Sequence, residues 1–170
     1  MTPTDVPLQH QPVQVVVGID YSDASELALN HAFALAQGNP AITLHVLEVA
    51  EGQAPERPPE LSAQVQAFRD AAAQNLATYV SERLARFVAA SGAIDPDRIR
   101  TAVDFGKPLE RLVRFIRQIS ADLVIVGTHG RAGLPRLLMG SVAESLLRDA
   151  PCEVMVVRPR RAPSASSTVR

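Results

Sequence analysis

The residues of this chain best suited to chemistry fall in one stretch, Gly127-Thr128-His129-Gly130-Arg131-Ala132-Gly133-Leu134-Pro135-Arg136-Leu137-Leu138-Met139-Gly140-Ser141. It follows the most apolar run of the sequence, Leu123-Val124-Ile125-Val126, and contains four glycines. Glycine lets backbone approach a ligand closely and permits positive φ, so successive N–H groups can converge on an anion. A helix opening at Ser141 would add unpaired N–H donors and the positive end of its dipole. Such a segment suits a polyphosphate held without lysine, and Lys107 is the only lysine present. A plainer reading stays open on the residues alone. Gly127 can simply end a strand, and Ser141 with Glu144 can form a capping box that satisfies the helix internally.

The spacing excludes two familiar phosphate loops. No glycine is followed by Lys-Ser/Thr as a Walker loop requires, and G-x-x-G-x-x-G stands in place of the dinucleotide pattern G-x-G-x-x-G. Among single residues, Asp20 ends the first apolar run, where it either faces a ligand or caps a helix. His129 either donates to a phosphate or steadies the turn. Arg131 and Arg136 either screen phosphate charge or point to solvent. His45 lies inside an apolar run and reads as a hydrogen-bonded structural residue. His31 falls on an apolar helix stripe and reads as core or interface. The single cysteine, Cys152, cannot form an internal disulfide and reads as a small buried residue ahead of a strand.

The elements that must position these residues alternate regularly. Val13 to Asp20 is a short β-branched run typical of a strand covered on both faces. Ser22 or Asp23 can cap a helix, Glu26 completing a box from Asp23, with Ala24, Leu27, Ala28, Ala32 and Leu35 as its apolar face. Gly38-Asn39-Pro40 stops it. A strand over Ile42 to Val49, a loop from Gly52 to Glu60 and a long helix from about Ser62 to Ala90 follow. Ile99 to Phe105 is a third strand, and Pro108 opens a helix striped by Leu109, Leu112, Val113 and Ile116. Leu123 to Gly127 is the fourth strand, a helix begins near Ser141, and Val154 to Val157 is the fifth strand. This order predicts an α/β fold: an open, doubly wound five-stranded parallel sheet with helices on both faces. Ligands of such sheets bind outside the strand carboxyl ends, at the switch point.

Composition limits the partners. With 170 residues, 46% hydrophobic and 21% charged, the chain is one ordinary globular domain. Seventeen basic against eighteen acidic residues give a net charge of −1 and no general attraction to nucleic acid or an anionic membrane. Residues 1–12 read as a flexible leader, 13–158 as the domain and 159–170 as a disordered tail. No secretory signal or run of about 20 apolar residues is present, which predicts a cytoplasmic protein.

Six landmarks in order carry a specific likeness: Val16-Val17-Gly18-Ile19-Asp20, Leu44-His45-Val46, Phe105-Gly106-Lys107-Pro108, Ala121-Asp122-Leu123-Val124-Ile125-Val126-Gly127, Gly127-x2-Gly130-x9-Gly140-Ser141 and Ala150-Pro151-Cys152-Glu153-Val154. Together they resemble the ATP-binding branch of the universal stress protein family, over about Val13 to Arg158. The resemblance implies a Rossmann-like sheet, of the kind seen in adenine nucleotide alpha hydrolases, in the order 3-2-1-4-5. It places Asp20 across a crevice from the Gly127 loop, near ribose and phosphates, where Mg joins through the phosphates. Val46 would offer backbone polar groups to the adenine edge. Val126, Gly127, His129, Gly130 and Arg131 would line sugar and triphosphate, with Gly140, Ser141 and Val142 closing over the phosphates. Gly18 and Ile19 complete the site, although many relatives carry other residues there. The likeness also implies a homodimer through Val154 to Val157.

The function so implied is ATP binding, or binding of another adenine nucleotide, in a regulatory or protective stress response with little or no catalysis. Lys107 lies two strand spacings from the switch point, about 10 Å away, and cannot replace a P-loop lysine. The alternatives are an interaction module of the same fold that binds no nucleotide, and a slow nucleotide hydrolase or transferase. The Ser-Gly-Gly and His-x-Gly-His phosphate motifs of such transferases are missing from the sequence.

Overall fold

A computed structural model describes residues 12–50, 62–128 and 140–159. The elements in order are β1 (Val13–Ile19), α1 (Asp23–Gly38), β2 (Ile42–Ala50), α2 (Ser62–Ser91), a 3-10 turn (Pro96–Arg98), β3 (Ile99–Phe105), α3 (Pro108–Gln118), β4 (Leu123–Gly127), α4 (Ser141–Asp149) and β5 (Glu153–Val157). The strands form one sheet in the order β3-β2-β1-β4-β5, every neighbouring pair parallel. This is the predicted doubly wound sheet. The expected leader and tail fall outside the described residues apart from Pro12 and Pro159, as does the loop from Gly52 to Glu60.

The central strands are apolar at consecutive positions because both of their faces are covered. Val15, Val17 and Ile19 join Leu29 and Phe33 of α1 and Leu76 and Val80 of α2 in one core. Val16 points the other way, toward Leu112 and Ile116 of α3 and Leu146 of α4. The chain winds outward through α1 and α2 on one face, returns to β1's other neighbour, and winds outward again through α3 and α4. The reversal lies between β1 and β4.

Two details of α1 differ from expectation. Its N-cap is Ser22, whose Oγ accepts from the Ser25 backbone at 3.2 Å, so no box forms from Asp23. Glu26 instead reaches α2, where Arg83 Nε lies 3.0 Å from its Oε1. His31 is exposed, because the buried stripe runs through Ala28, Leu29, Ala32, Phe33 and Ala36 and turns residue 31 outward. His45 has the structural role expected of it. It is buried, its Nε2 lies 2.7 Å from Gln14 Oε1, and its ring meets Phe115 with centroids 6.0 Å apart. Burial, then the Arg100 charge, pushes its pKa below the ordinary value. No helix among the described residues is long and apolar enough to cross a membrane.

Candidate functional site

The switch point brings the ends of β1 and β4 together through the first turn of α1. The two strands pair from Val15↔Leu123 to Val17↔Ile125, which leaves Gly18 to Asp20 running beside Val126 to Thr128. An added Cβ on Gly127 would lie 2.7 Å from the carbonyl carbon and Cβ of Ala24 and 2.9 Å from Ser25 N. The glycine therefore lets α1 close on β4. Ser25 also turns toward β1, its Oγ accepting from the Asp20 backbone at 3.4 Å.

From Thr128 the path continues to α4. Thr128 N donates to Val157 O at 2.9 Å, and Thr128 O accepts from Gly140 N at 2.7 Å. Thr128 and Gly140 thus meet at one hydrogen bond beside the β4 terminus. Asp20, Gly127, Gly140 and Ser141 are brought to one edge. His129, Gly130 and Arg131, along with Arg136, lie outside the described residues. Thr128 itself went unremarked in the sequence. It is 3% exposed, and its Oγ1 is buried with no hydrogen-bond partner among the described residues.

The helix starts at this edge are not equivalent. At α1, Ser22 Oγ takes up the Ser25 amide, and Asp20 Oδ1 accepts from Ser22 N at 3.1 Å and Ser22 Oγ at 2.6 Å. The helix-capping alternative for Asp20 is therefore realised through Ser22. At α4 the N-cap is Gly140, with no side-chain cap bond. Ser141 stands one residue too late to cap, so the box with Glu144 that the plainer reading offered does not form. A side chain satisfies the first turn of α1 and none among the described residues does so for α4, which makes α4 the better candidate start for an external anion. Ser141 is exposed there, with Gly140 and Val142 half-buried.

The remaining candidates contribute differently. Ile19 and Val126 are 4% and 6% exposed and belong to opposite cores, so only their main chain can face a ligand. Gly18 is hemmed in: a Cβ would sit 3.2 Å from Val126 Cγ1. Val46 lies in register with Val17 and with Thr101, flanked by strand on both sides. Its main-chain polar groups lie inside the ladder, and Leu47 to Ala50 separate it from the end of β2. Lys107, past the end of β3, is exposed and pairs with Glu110 at 2.9 Å. Cys152 is half-buried, and burial pushes its thiol up, away from the reactive thiolate. No group of three or more His, Cys, Asp or Glu among the described residues is arranged to hold a metal ion. Tyr21, Ser25 and Glu48, which with the cap Ser22 shape the turn carrying Asp20, carried no signal readable from spacing. They act through contacts that exist only once β1, α1 and β2 are assembled.

Comparison with known proteins matches this arrangement. Residues 14–158 fit the sequence profile described as the Universal stress protein family. A universal stress protein of Mycolicibacterium smegmatis is 36% identical over 149 residues, covering 86% of this chain and 46% of the relative. The chain thus spans about half the length of that relative. Among solved structures, the universal stress protein UspA from Lactobacillus plantarum superposes with a TM-score of 0.67 at 26% identity, covering 87% of this chain and 99% of that one. A universal stress protein solved in complex with cAMP gives a TM-score of 0.61 at 25% identity, covering 85% and 96%.

Proposed function

Because the chain belongs to the universal stress protein family, we propose that it binds an adenine nucleotide, ATP foremost, at the edge shared by β1, β4 and α4. The phosphates sit at the α4 start, against the main chain of Gly140, Ser141 and Val142 and of the loop carrying His129, Gly130 and Arg131. The sugar lies near Asp20, Gly127 and the backbone of Gly18, Ile19 and Val126. The base reaches toward β2, the strand that carries Val46. Supporting this class of ligand is the relative solved with cAMP.

One observation carries the reading: α4 begins on Gly140 with no side-chain cap among the described residues, one hydrogen bond from Thr128 at the β4 terminus. Unpaired amides at a helix start are stabilised by an anion, and a polyphosphate is a fitting one. The residues also fit Mg2+, which favours one or two carboxylates together with phosphate oxygens. Asp20 would supply the carboxylate, and the ion would offset the charge of the phosphates. Binding of this kind suits a nucleotide-responsive regulatory or protective role with little or no turnover, and we place the protein in the cytoplasm. Copies pair through Val154 to Val157.

Calorimetric titration of the purified chain with ATP, ADP, AMP and cAMP, with and without Mg2+, tests the reading. Saturable binding of at least one of them is expected. Absence of binding for all four would leave a same-fold interaction module instead. Steady phosphate release on incubation with ATP would make the protein a hydrolase and overturn the non-catalytic part.

A further inference from the structure

The turn carrying Asp20 holds a bulky side chain in a backbone conformation that favours glycine. Tyr21 has φ 64°, in the left-handed region, where a Cβ crowds the neighbouring carbonyl. A strained residue persists when its surroundings over-determine it, and Tyr21 is held on two sides. Its hydroxyl donates to Glu48 Oε2 at 2.5 Å, a short charge-assisted bond. Its ring meets Tyr79 edge-on, with centroids 4.9 Å apart and planes at 86°.

Both anchors are themselves fixed. Glu48 is the β2 residue in register with Ile19, so the bond ties the turn to the neighbouring strand at the level where β1 ends. Tyr79 lies under the Arg83 guanidinium, 4.3 Å from its ring centre, and Arg83 bridges to Glu26 of α1. On either side of Tyr21, Asp20 and Ser22 are joined by two hydrogen bonds to Asp20 Oδ1. The backbone angle at Tyr21 therefore sets how the Asp20 carboxylate is turned relative to the α1 cap.

We infer that Tyr21, anchored by Glu48 and Tyr79, is a positioning residue that holds the Asp20 carboxylate at the edge of the β1–β4 crevice. Its consequence for ligand binding rests on the nucleotide reading above; its geometry does not. Without the hydroxyl anchor the strained turn relaxes, and Asp20 loses its fixed direction while the sheet and the Ser22 cap survive.

Three variants of the full chain test this: Tyr21→Phe and Glu48→Ala, which break the tie, and Glu48→Gln, which keeps an oxygen acceptor for the hydroxyl. Amide exchange at Ser22, the donor to Asp20, reads the turn directly by NMR. Exchange is expected to speed by roughly tenfold in the first two variants and to stay near the parent rate in Glu48→Gln. Melting temperatures should stay within about 2 °C of the parent, as the tie is exposed. Affinity for Mg·ATP should fall roughly five- to twentyfold in Tyr21→Phe, and Tyr21→Phe should add nothing further in an Asp20→Asn background. Unchanged Ser22 exchange in Tyr21→Phe overturns the inference, as does full additivity with Asp20→Asn. If the parent chain binds no nucleotide, the nucleotide reading falls, and Ser22 exchange alone decides the positioning role.

Discussion

A methyl group added at Gly127 would press to 2.7 Å on the Ala24 backbone, whereas Gly140 has φ −65° and ψ 146°, angles that any residue adopts. One glycine is required by packing, and the other is not required by its backbone angles. Gly127→Ala should therefore destabilise the fold by about 1–3 kcal/mol through overpacking, visible as a melting temperature several degrees lower. Gly140→Val should cost less, about 0.5–1 kcal/mol for a poorer N-cap, and weaken ATP roughly tenfold or more, its side chain filling the space in front of the α4 amides. Calorimetric titration beside thermal melting separates the two. If both variants lose stability alike, Gly140 is glycine for packing and the phosphate position is wrong. The sequence could single out both glycines but not distinguish them, because Gly127's neighbour, Ala24, comes from α1. Ser141 and Glu144 match a capping box by spacing, yet the helix starts one residue earlier than that register needs.

At the scale of elements, the fold was legible because Val15, Val16, Val17 and Val124, Ile125 are apolar at consecutive positions, a pattern that only strands covered on both faces require. Spacing read the face of α1 less well. Leu27 and Leu35 suggested a stripe including His31, but alanines at 28, 32 and 36 let the helix sit close, centring burial on Leu29 and Phe33. Nor did spacing reveal Arg98, whose Nη1 donates to Ala36 O, Asn39 O and Ile42 O at 3.1, 3.2 and 3.0 Å. It joins the end of α1 to the start of β2 from more than fifty residues away. Arg98→Met should cost about 2 kcal/mol, the scale of charged hydrogen bonds, as a lower urea midpoint at unchanged m-value. His45 adds a pH dependence. Since burial lowers its pKa from 6.5, the folded state favours the neutral ring, and on acidification the unfolded chain takes up the proton first. Stability from this group is complete above the unfolded value and is lost as pH falls through the lowered folded one. Urea unfolding from about pH 7.5 to 5 should show stability declining, and more weakly in His45→Gln. An identical slope in that variant would assign the decline to other groups.

At the scale of the whole molecule, the sheet ends asymmetrically. β3, at one end, exposes Arg100 and Thr101, and a polar edge discourages pairing with another chain. β5, at the other, carries Val154, Met155 and Val156, each half-buried and apolar, with β4 its one strand neighbour among the described residues. An apolar edge strand with free main-chain groups is a template for another strand. A second copy related by a twofold axis would satisfy both edges with one self-complementary interface. The α4 start lies beside the same end of the sheet, since Thr128 N bonds to Val157 O. A pairing event at β5 and a nucleotide at α4 would therefore share a strand, which gives a dimer a physical route to respond to ligand. Met155→Arg places a charge in the middle of that edge without touching the Asp20 turn. Sedimentation velocity should show the parent at twice its 18.3 kDa chain mass and the variant at the chain mass, with an unaltered far-UV spectrum. A parent that sediments as a single chain at every concentration, or a variant that still pairs, would move the interface away from β5 and sever the link between association and the α4 site.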